Sequence, residues 1–385
     1  MRRTRKNIRL SIRKSKTENP KFQNNLTHLG FGILSFEIFM KTFIPFHTLN
    51  DREAIIVDGA HSSGLILSHW KGQNKLEEIA DDTSGAVVLN AIEKNIPGIN
   101  NELITATHFD IDGLVGVWSL FEPGLALQHE AILKAVARIG DFRELDLSRA
   151  EDDMALKIVC WIDAEERNRF YVPFGEEYEI KACQEKFEWF LPNFTAVVKD
   201  PDQFKNVWER DYLRIKKDYA TIHGVNSKIS QEKNIGLTII HTPEPVSYYA
   251  LFSATHETDI VLSMYSQNRY ELEYKYTTWV DIVSRPTLPR ISMQPLCDQL
   301  NKMETSGKKW FCDSITDTGT LLRIENSGLS KAERFAHPTE REIFSSSIAP
   351  GIFEKTVVDF FESAYKNIRP KKFWSWQEVR SISSN

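Results

Sequence analysis

The sequence predicts an α/β fold: a parallel-sheet α/β main domain with a second, smaller α+β domain. Three observations carry this. From Ala54 onward, short apolar runs alternate with helix-like stretches, the strand–helix–strand–helix spacing that produces parallel strands. Near Asn234 the texture changes to β-rich segments separated by short polar breaks. A chain of 385 residues also exceeds what one small core organises, so two domains are the natural arrangement.

In chain order, residues 1–39 read as a basic, disordered tail. Residues 1–21 hold nine Lys/Arg against a single Glu, a net of +8 that leaves −13 for the remainder of a chain of formal charge −5. Such a tail could bind nucleic acid or anionic lipid. The acidic body argues against indiscriminate binding to phosphate backbones, which requires Lys/Arg on a face. The main domain spans residues 40–230. AIIVDG is a strand closing in Asp58-Gly59. DDTSGAVVLNAIEKN is a helix with Asp82, Thr83 and Ser84 as cap candidates and Pro97-Gly98 beyond its end. ELITATHFD is a second strand, and EPGLALQHEAILKAVARIGDF is a helix with Pro123 near its start and Gly140 near its end. Residues 142–225 are charged and aromatic, with helical stretches YEIKACQEKFEWFL and FKNVWERDYLRIKKDYA. The second domain, residues 234–385, reads as strands GLTIIHT, SYYALFSAT, DIVLSMYSQ and RYELEYKYTTWV, then a helix MQPLCDQLNKME, then WFCDS and TGTLLRIENS, with a helical C-terminal tail.

Composition narrows the class. A hydrophobic share of 41% and a charged share of 26% are those of a chain that builds an ordinary core. No apolar run reaches membrane-spanning length. Cys160, Cys183, Cys297 and Cys312 are scattered with no CxxC pair, which argues against a zinc ribbon or disulfide framework and suits a cytoplasmic, reducing compartment.

The stretch THFDIDG carries the chemistry. His108, Asp110 and Asp112 fall at every second residue, so a persisting strand would point all three one way, toward the crevice where α/β ligands sit. Two carboxylates and an imidazole that close repel one another and lose solvation unless a cation neutralises them. The donor set suits Mn²⁺ or Mg²⁺, and the lack of thiolates disfavours structural zinc. Gly113 permits the sharp turn beyond.

HFDIDG resembles the HxDxDG motif of the DHH phosphoesterase superfamily, whose members hydrolyse phosphodiester or phosphoanhydride bonds at a paired manganese site. The stretch IIVDGAHSSG is similar to the segment that carries that superfamily's Asp-His-His. DDTSGAVVLNAIEK is similar to its Asp-Ser-Ala helix, and KAVARIGDFREL to the helix end that adds Asp141. Here Asp58 is followed by Gly59-Ala60, the next histidines are His61 and His69, and the order of the motifs is reversed. The combination VDG…LSHW…HFDIDG…GDF is also similar to an uncharacterised bacterial protein family of unknown function.

The resemblance implies two ions, Mn²⁺ or Mg²⁺, about 3.5–4 Å apart, that clamp a phosphoryl group and activate a bridging water. Their ligands would be His108, Asp110, Asp112, Asp58, Asp82 and Asp141, with His61 or His69 protonating the leaving oxygen. In the second domain RISMQPLCDQLNKMETSGKKWF resembles the lead into the superfamily's GGGH loop, with SGKKW in its place. Arg290, Lys308, Lys309 and His337 are the candidate anion contacts. The aromatic run YELEYKYTTWV could stack bases or supply two faces of a strand. The expected function is a metal-dependent phosphoesterase acting on a nucleotide or oligonucleotide-like substrate. Expected partners are a phosphorylated small molecule or a short single-stranded nucleic acid, with no membrane; a homo-oligomer is compatible with the sequence. Two alternatives stand beside it. One is a catalytically degenerate nucleotide- or metal-binding protein. The other is a haloacid-dehalogenase-like phosphatase, because FDIDGL also resembles that family's signature, with Asp110 as nucleophile and Asp112 as acid/base.

Overall fold

Two β-sheets organise the computed structural model, which describes residues 41–73, 76–170, 176–326, 329–330, 333 and 336–383. The basic tail expected over residues 1–39 lies outside the described residues. The first sheet is wholly parallel: β1 (Thr42–Phe43), β2 (Ile55–Val57), β3 (Leu65–Leu67) and β4 (Leu103–Ala106), in the order β1-β4-β2-β3. Every residue of β2 is buried, as in a parallel strand covered on both faces, and this is why AIIV shows no alternation. Around the sheet lie α1 (Ser84–Glu93), α2 (Ile111–Phe121), α3 (Pro123–Gln128), α4 (Glu130–Phe142), α5 (Ala150–Arg169), α6 (Glu176–Lys199) and α7 (Lys205–Ile222). Ile55, Val57, Val88, Ile104, Leu114, Trp118 and Val136 form the centre of their shared core. Of the three cap candidates before α1, Thr83 serves: its hydroxyl oxygen accepts the Ala86 N–H at 3.3 Å.

The expected strand through His108 ends sooner. β4 stops at Ala106, and Asp110 caps α2 by accepting the Gly113 N–H at 2.7 Å. The cap prevails because IDGLVGVWSLF behind it buries ten of its eleven residues as a helix. The long helix expected from Pro123 is broken at His129 into α3 and α4.

The second sheet is mixed, in the order β5-β6-β7-β8-β10-β9, from β5 (Lys228–Glu232), β6 (Leu237–His241), β7 (Ile260–Tyr265), β8 (Arg269–Tyr274), β9 (Lys309–Cys312) and β10 (Leu321–Glu325). Only the β6–β7 pair is parallel, so it requires a crossover. That crossover contains SYYALFSAT, expected as a strand. It forms α8 (Tyr248–Leu251) and a 3₁₀ turn instead, with Tyr249, Ala250, Leu251 and Phe252 buried in succession and no alternation. Helices α9 (Gln294–Met303) and α10 (Pro350–Tyr365) cover one face, where Leu296, Phe353 and Phe361 pack on Leu237, Leu262 and Leu272. Helix α11 (Trp376–Ser383) follows.

Residues 39–385 form a single compact unit, so the two sheets belong to lobes of one body. Among the described residues no helix is long and apolar enough to cross a membrane. The lobes are joined at the strand ends of the first sheet. Asp281 N donates to His69 O at 2.9 Å, and the Lys71 ammonium donates to Val280 O at 2.7 Å. Both contacts grip the segment that follows β3.

Candidate metal centre

The carboxyl ends of β2, β3 and β4 converge with the N-termini of α1 and α2. Asp58 directly follows β2, in the left-handed region (φ 47°), and is buried. Its Oδ1 accepts the Ser84 hydroxyl at 2.7 Å and lies 3.3 Å from His69 Nε2; its Oδ2 lies 3.3 Å from His108 Nε2. Asp112, in the first turn of α2, accepts Ser84 N–H at 2.8 Å and Gly85 N–H at 2.7 Å, and so rests on the positive end of α1. A Cβ at Gly85 would stand 2.9 Å from Asp112 Oδ1, so only glycine admits the carboxylate there. Asp110 Oδ2 lies 3.0 Å from His108 Nε2. Asp141, near the end of α4, places Oδ2 3.8 Å from His69 Nε2. That oxygen is buried and has no hydrogen-bond partner among the described residues.

These side chains form two groups whose ligand atoms all lie within 4.8 Å of one another: buried Asp58, His69 and Asp112, and more open Asp58, His108 and Asp110. Asp58 belongs to both. Both imidazoles are oriented from behind. His69 Nδ1 lies 2.6 Å from the Asp82 carbonyl, which can only accept, so Nδ1 carries the proton. His108 Nδ1 lies 3.1 Å from Thr107 Oγ1, whose own proton goes to Asp58 O at 2.8 Å, so again the ring nitrogen donates. In the neutral form each Nε2 therefore presents a lone pair to the carboxylates, the arrangement of metal-ligating histidines.

The electrostatics follow from the excess of carboxylates over imidazoles. Burial would push the His69 imidazole down, but Asp58, Asp141 and Asp112 outweigh it and raise it to about 10. His108 follows the same pattern: burial is outweighed by Asp110, Asp58 and Asp141, and it too rises to about 10. Burial pushes Asp112 up to about 7, and Asp141 is raised well above the carboxylate range by burial and its acidic neighbours. Asp58 resists burial through His69, His108 and Ser84 and falls to about 2. Four carboxylates surround two imidazoles, so the site draws protons where it has no other cation. The oxygen- and nitrogen-rich donor set, and an Asp141 oxygen that accepts no hydrogen bond among the described residues, fit hard divalent cations.

Among the sequence-derived candidates, Asp58, His69, His108, Asp110, Asp112 and Asp141 come together. Asp82 does not: its carboxylate accepts Val283 N–H at 2.7 Å and Ser284 N–H at 2.9 Å across the lobe junction, while its carbonyl positions His69. His61 lies in the turn before β3, with Nδ1 on the Ser63 backbone and its ring edge-on to Phe46. Arg290 is fully buried and donates to the carbonyls of Ile315 and Thr318 and to the Thr278 hydroxyl, which makes it a brace rather than an anion contact. Lys308 lies 5.5 Å over the Phe344 ring, and Lys309 is exposed at the start of β9. His337 is half-buried against Tyr248, with Nδ1 2.7 Å from the Thr339 hydroxyl. YELEYKYTTWV forms β8 and the turn behind it, whose Tyr276 ring packs 6.1 Å from His69.

A family model described as "Family of unknown function (DUF6687)" matches residues 40–372. The chain belongs to that family. No curated protein and no solved structure matches it. The family span takes in both sheets, so the carboxylate centre and the second-lobe segment that grips it lie within the matched residues.

Proposed function

We propose that this chain is a metal-dependent phosphoesterase that hydrolyses a phosphodiester or phosphoanhydride bond in a nucleotide or oligonucleotide-like substrate, with Mn²⁺ or Mg²⁺. One observation carries the reading: the Asp58 carboxylate is shared by two Asp/His/Asp groups whose imidazoles both turn Nε2 inward. Asp58, His69, Asp112 and Asp141 would hold an inner cation, and Asp58, His108 and Asp110 an outer one. Bound there, such a pair polarises a phosphoryl oxygen and lowers the pKa of a water. Four carboxylates balance the charge of two divalent ions once both imidazoles are neutral.

The chain's own groups set the remaining conditions. The α1 N-terminus fixes Asp112, and the Asp82 carbonyl and Thr107 hydroxyl fix the two rings. Phe142 and Tyr276 pack against His69, so its side of the centre is dry, while the His108 side chain is 42% exposed and marks the entrance. His69 acts here as a ligand, not as the acid for the leaving oxygen. A haloacid-dehalogenase-like role gains no support from Asp110, because Gly113 N–H holds one of its oxygens and His108 faces the other.

The test is hydrolysis of bis(para-nitrophenyl) phosphate with added Mn²⁺. We expect Mn²⁺-dependent turnover that Asp110→Ala lowers about a hundredfold or more. A protein that holds Mn²⁺ and cleaves nothing is a binding protein, and the phosphoesterase reading then fails.

A further inference from the structure

Aromatic side chains from both lobes border the open side of the metal centre. Trp70, directly after His69, pairs with Val280 as an isolated antiparallel bridge and holds its indole 5.8 Å from the His108 ring, centroid to centroid. Trp279 meets Trp70 edge-on at 5.1 Å, stacks on Tyr276 at 5.7 Å, and lies 5.7 Å from the ring of Trp376 at the start of α11. Phe142, Val280 and Ile282 form a small core with Trp70, Tyr276 and Trp279 packed against it, yet these three rings stay only half-buried. Trp279 Nε1 donates to Thr316 O at 3.2 Å, whereas Trp70 Nε1 is buried with no hydrogen-bond partner among the described residues. A stranded buried donor is unfavourable, and an apolar side chain would fill that place without one. Core packing therefore does not account for an indole beside His108.

The chemistry of what meets this wall follows from its position. Trp70, Tyr276, Trp279 and Trp376 are flat, uncharged rings, which suit another flat ring and give no grip on phosphate. His108 belongs both to the outer Asp58/His108/Asp110 group and to the edge of the wall, and its side chain is 42% exposed. A phosphoryl group seated on the outer group thus has an aromatic surface beside it, and in a nucleotide the base stands one ribose away from its phosphate. Building on the phosphoesterase reading, we propose that Trp70 and Trp279 form the nucleobase platform of the centre, with the base next to the cleaved phosphate stacked on the Trp70 indole. Such stacking is worth about 1–3 kcal/mol per base and tolerates any base, since each has a π-face. One ring comes from each lobe, so the platform exists only where the lobes meet.

The test is calorimetric titration of the full chain, in excess Mn²⁺, with adenosine 5′-monophosphate and with ribose 5-phosphate, which lacks the base. The wild type should bind the nucleotide about 10- to 100-fold more tightly, the range one stacked base supplies. Trp70→Leu should bind the two esters about equally, with its affinity for ribose 5-phosphate at the wild-type level. Trp70→Phe should keep part of the preference. Trp279→Leu, farther from the metal ligands, should also reduce it, and carries the test if Trp70→Leu folds poorly. The proposal is overturned if the wild type binds both esters equally or binds neither, or if the preference survives both leucine substitutions. An equal loss of both esters in Trp70→Leu also overturns it, because that is the mark of a merely structural role. Cleavage of bis(para-nitrophenyl) phosphate without a preference for the nucleotide would sink the platform alone. A preference that Trp70→Leu abolishes, in a chain that cleaves no diester, would sink the phosphoesterase reading alone.

Discussion

Gly85 and Asp112 show how tightly single residues define the centre. Asp112 is pinned by two N–H groups of α1, so its carboxylate cannot swing aside. A methyl group at position 85 would meet Asp112 Oδ1 at 2.9 Å and Val115 Cγ1 at 3.0 Å. Replacing glycine by alanine within an unconstrained helix stabilises by roughly 0.8–1 kcal/mol. Here the sign should reverse. Gly85→Ala is expected to cost about 1–3 kcal/mol in urea unfolding, the usual toll of overpacking, and to weaken Mn²⁺ binding by displacing Asp112. A stabilised variant would mean that the carboxylate is free to move. Asp58 tells a related story: its left-handed backbone (φ 47°) is one of the few conformations of that kind that aspartate tolerates, and it lets one side chain serve two groups.

At the scale of elements, the residue types in THFDIDG were legible before their geometry. They pointed to a candidate cation site, and AIIVDG, DDTSGAVVLNAIEKN and ELITAT were readable as strand, helix and strand because their apolar runs match those periods. The alternation of His108, Asp110 and Asp112 was misleading. The same spacing occurs when an aspartate caps a helix and the next one falls in its first turn, and only the buried run behind them decides between the two. Convergence was harder to see. Asp58, His69 and Asp141 reach the centre because β2, β3 and α4 end beside one another, and that adjacency is set by sheet order. Asp82 looked like a ligand because cap and ligand use the same residue type; its carboxylate is consumed by a loop some two hundred residues away. Arg290 looked available because a basic residue near a glycine loop suggests an anion, yet its donors brace carbonyls.

At the scale of the whole molecule, the second lobe serves the first by holding the strand ends in place. One buried tie is the Lys275 ammonium, which donates to Glu144 Oε1 at 2.5 Å. Burial would raise the Glu144 carboxyl, but Lys275 and His256 outweigh it and hold it at about 2, below its ordinary 4.5. A depressed carboxyl stabilises the fold fully above pH 4.5, and that contribution is lost as pH falls toward 2. Glu144→Gln, which strands a buried ammonium, should cost about 3–5 kcal/mol near neutral pH. Its unfolding midpoint should also vary less than that of the wild type between pH 4.5 and 2; parallel pH profiles would show that the tie does not bear on stability. The central claim, however, is the shared carboxylate of Asp58. It is tested most directly by counting Mn²⁺ bound at saturation in the wild type and in Asp58→Asn. The account predicts about two ions per chain in the wild type, as a two-metal site requires, and at most one, weakly held, in the variant. A wild type that binds no Mn²⁺, or a variant that binds as the wild type does, would contradict it.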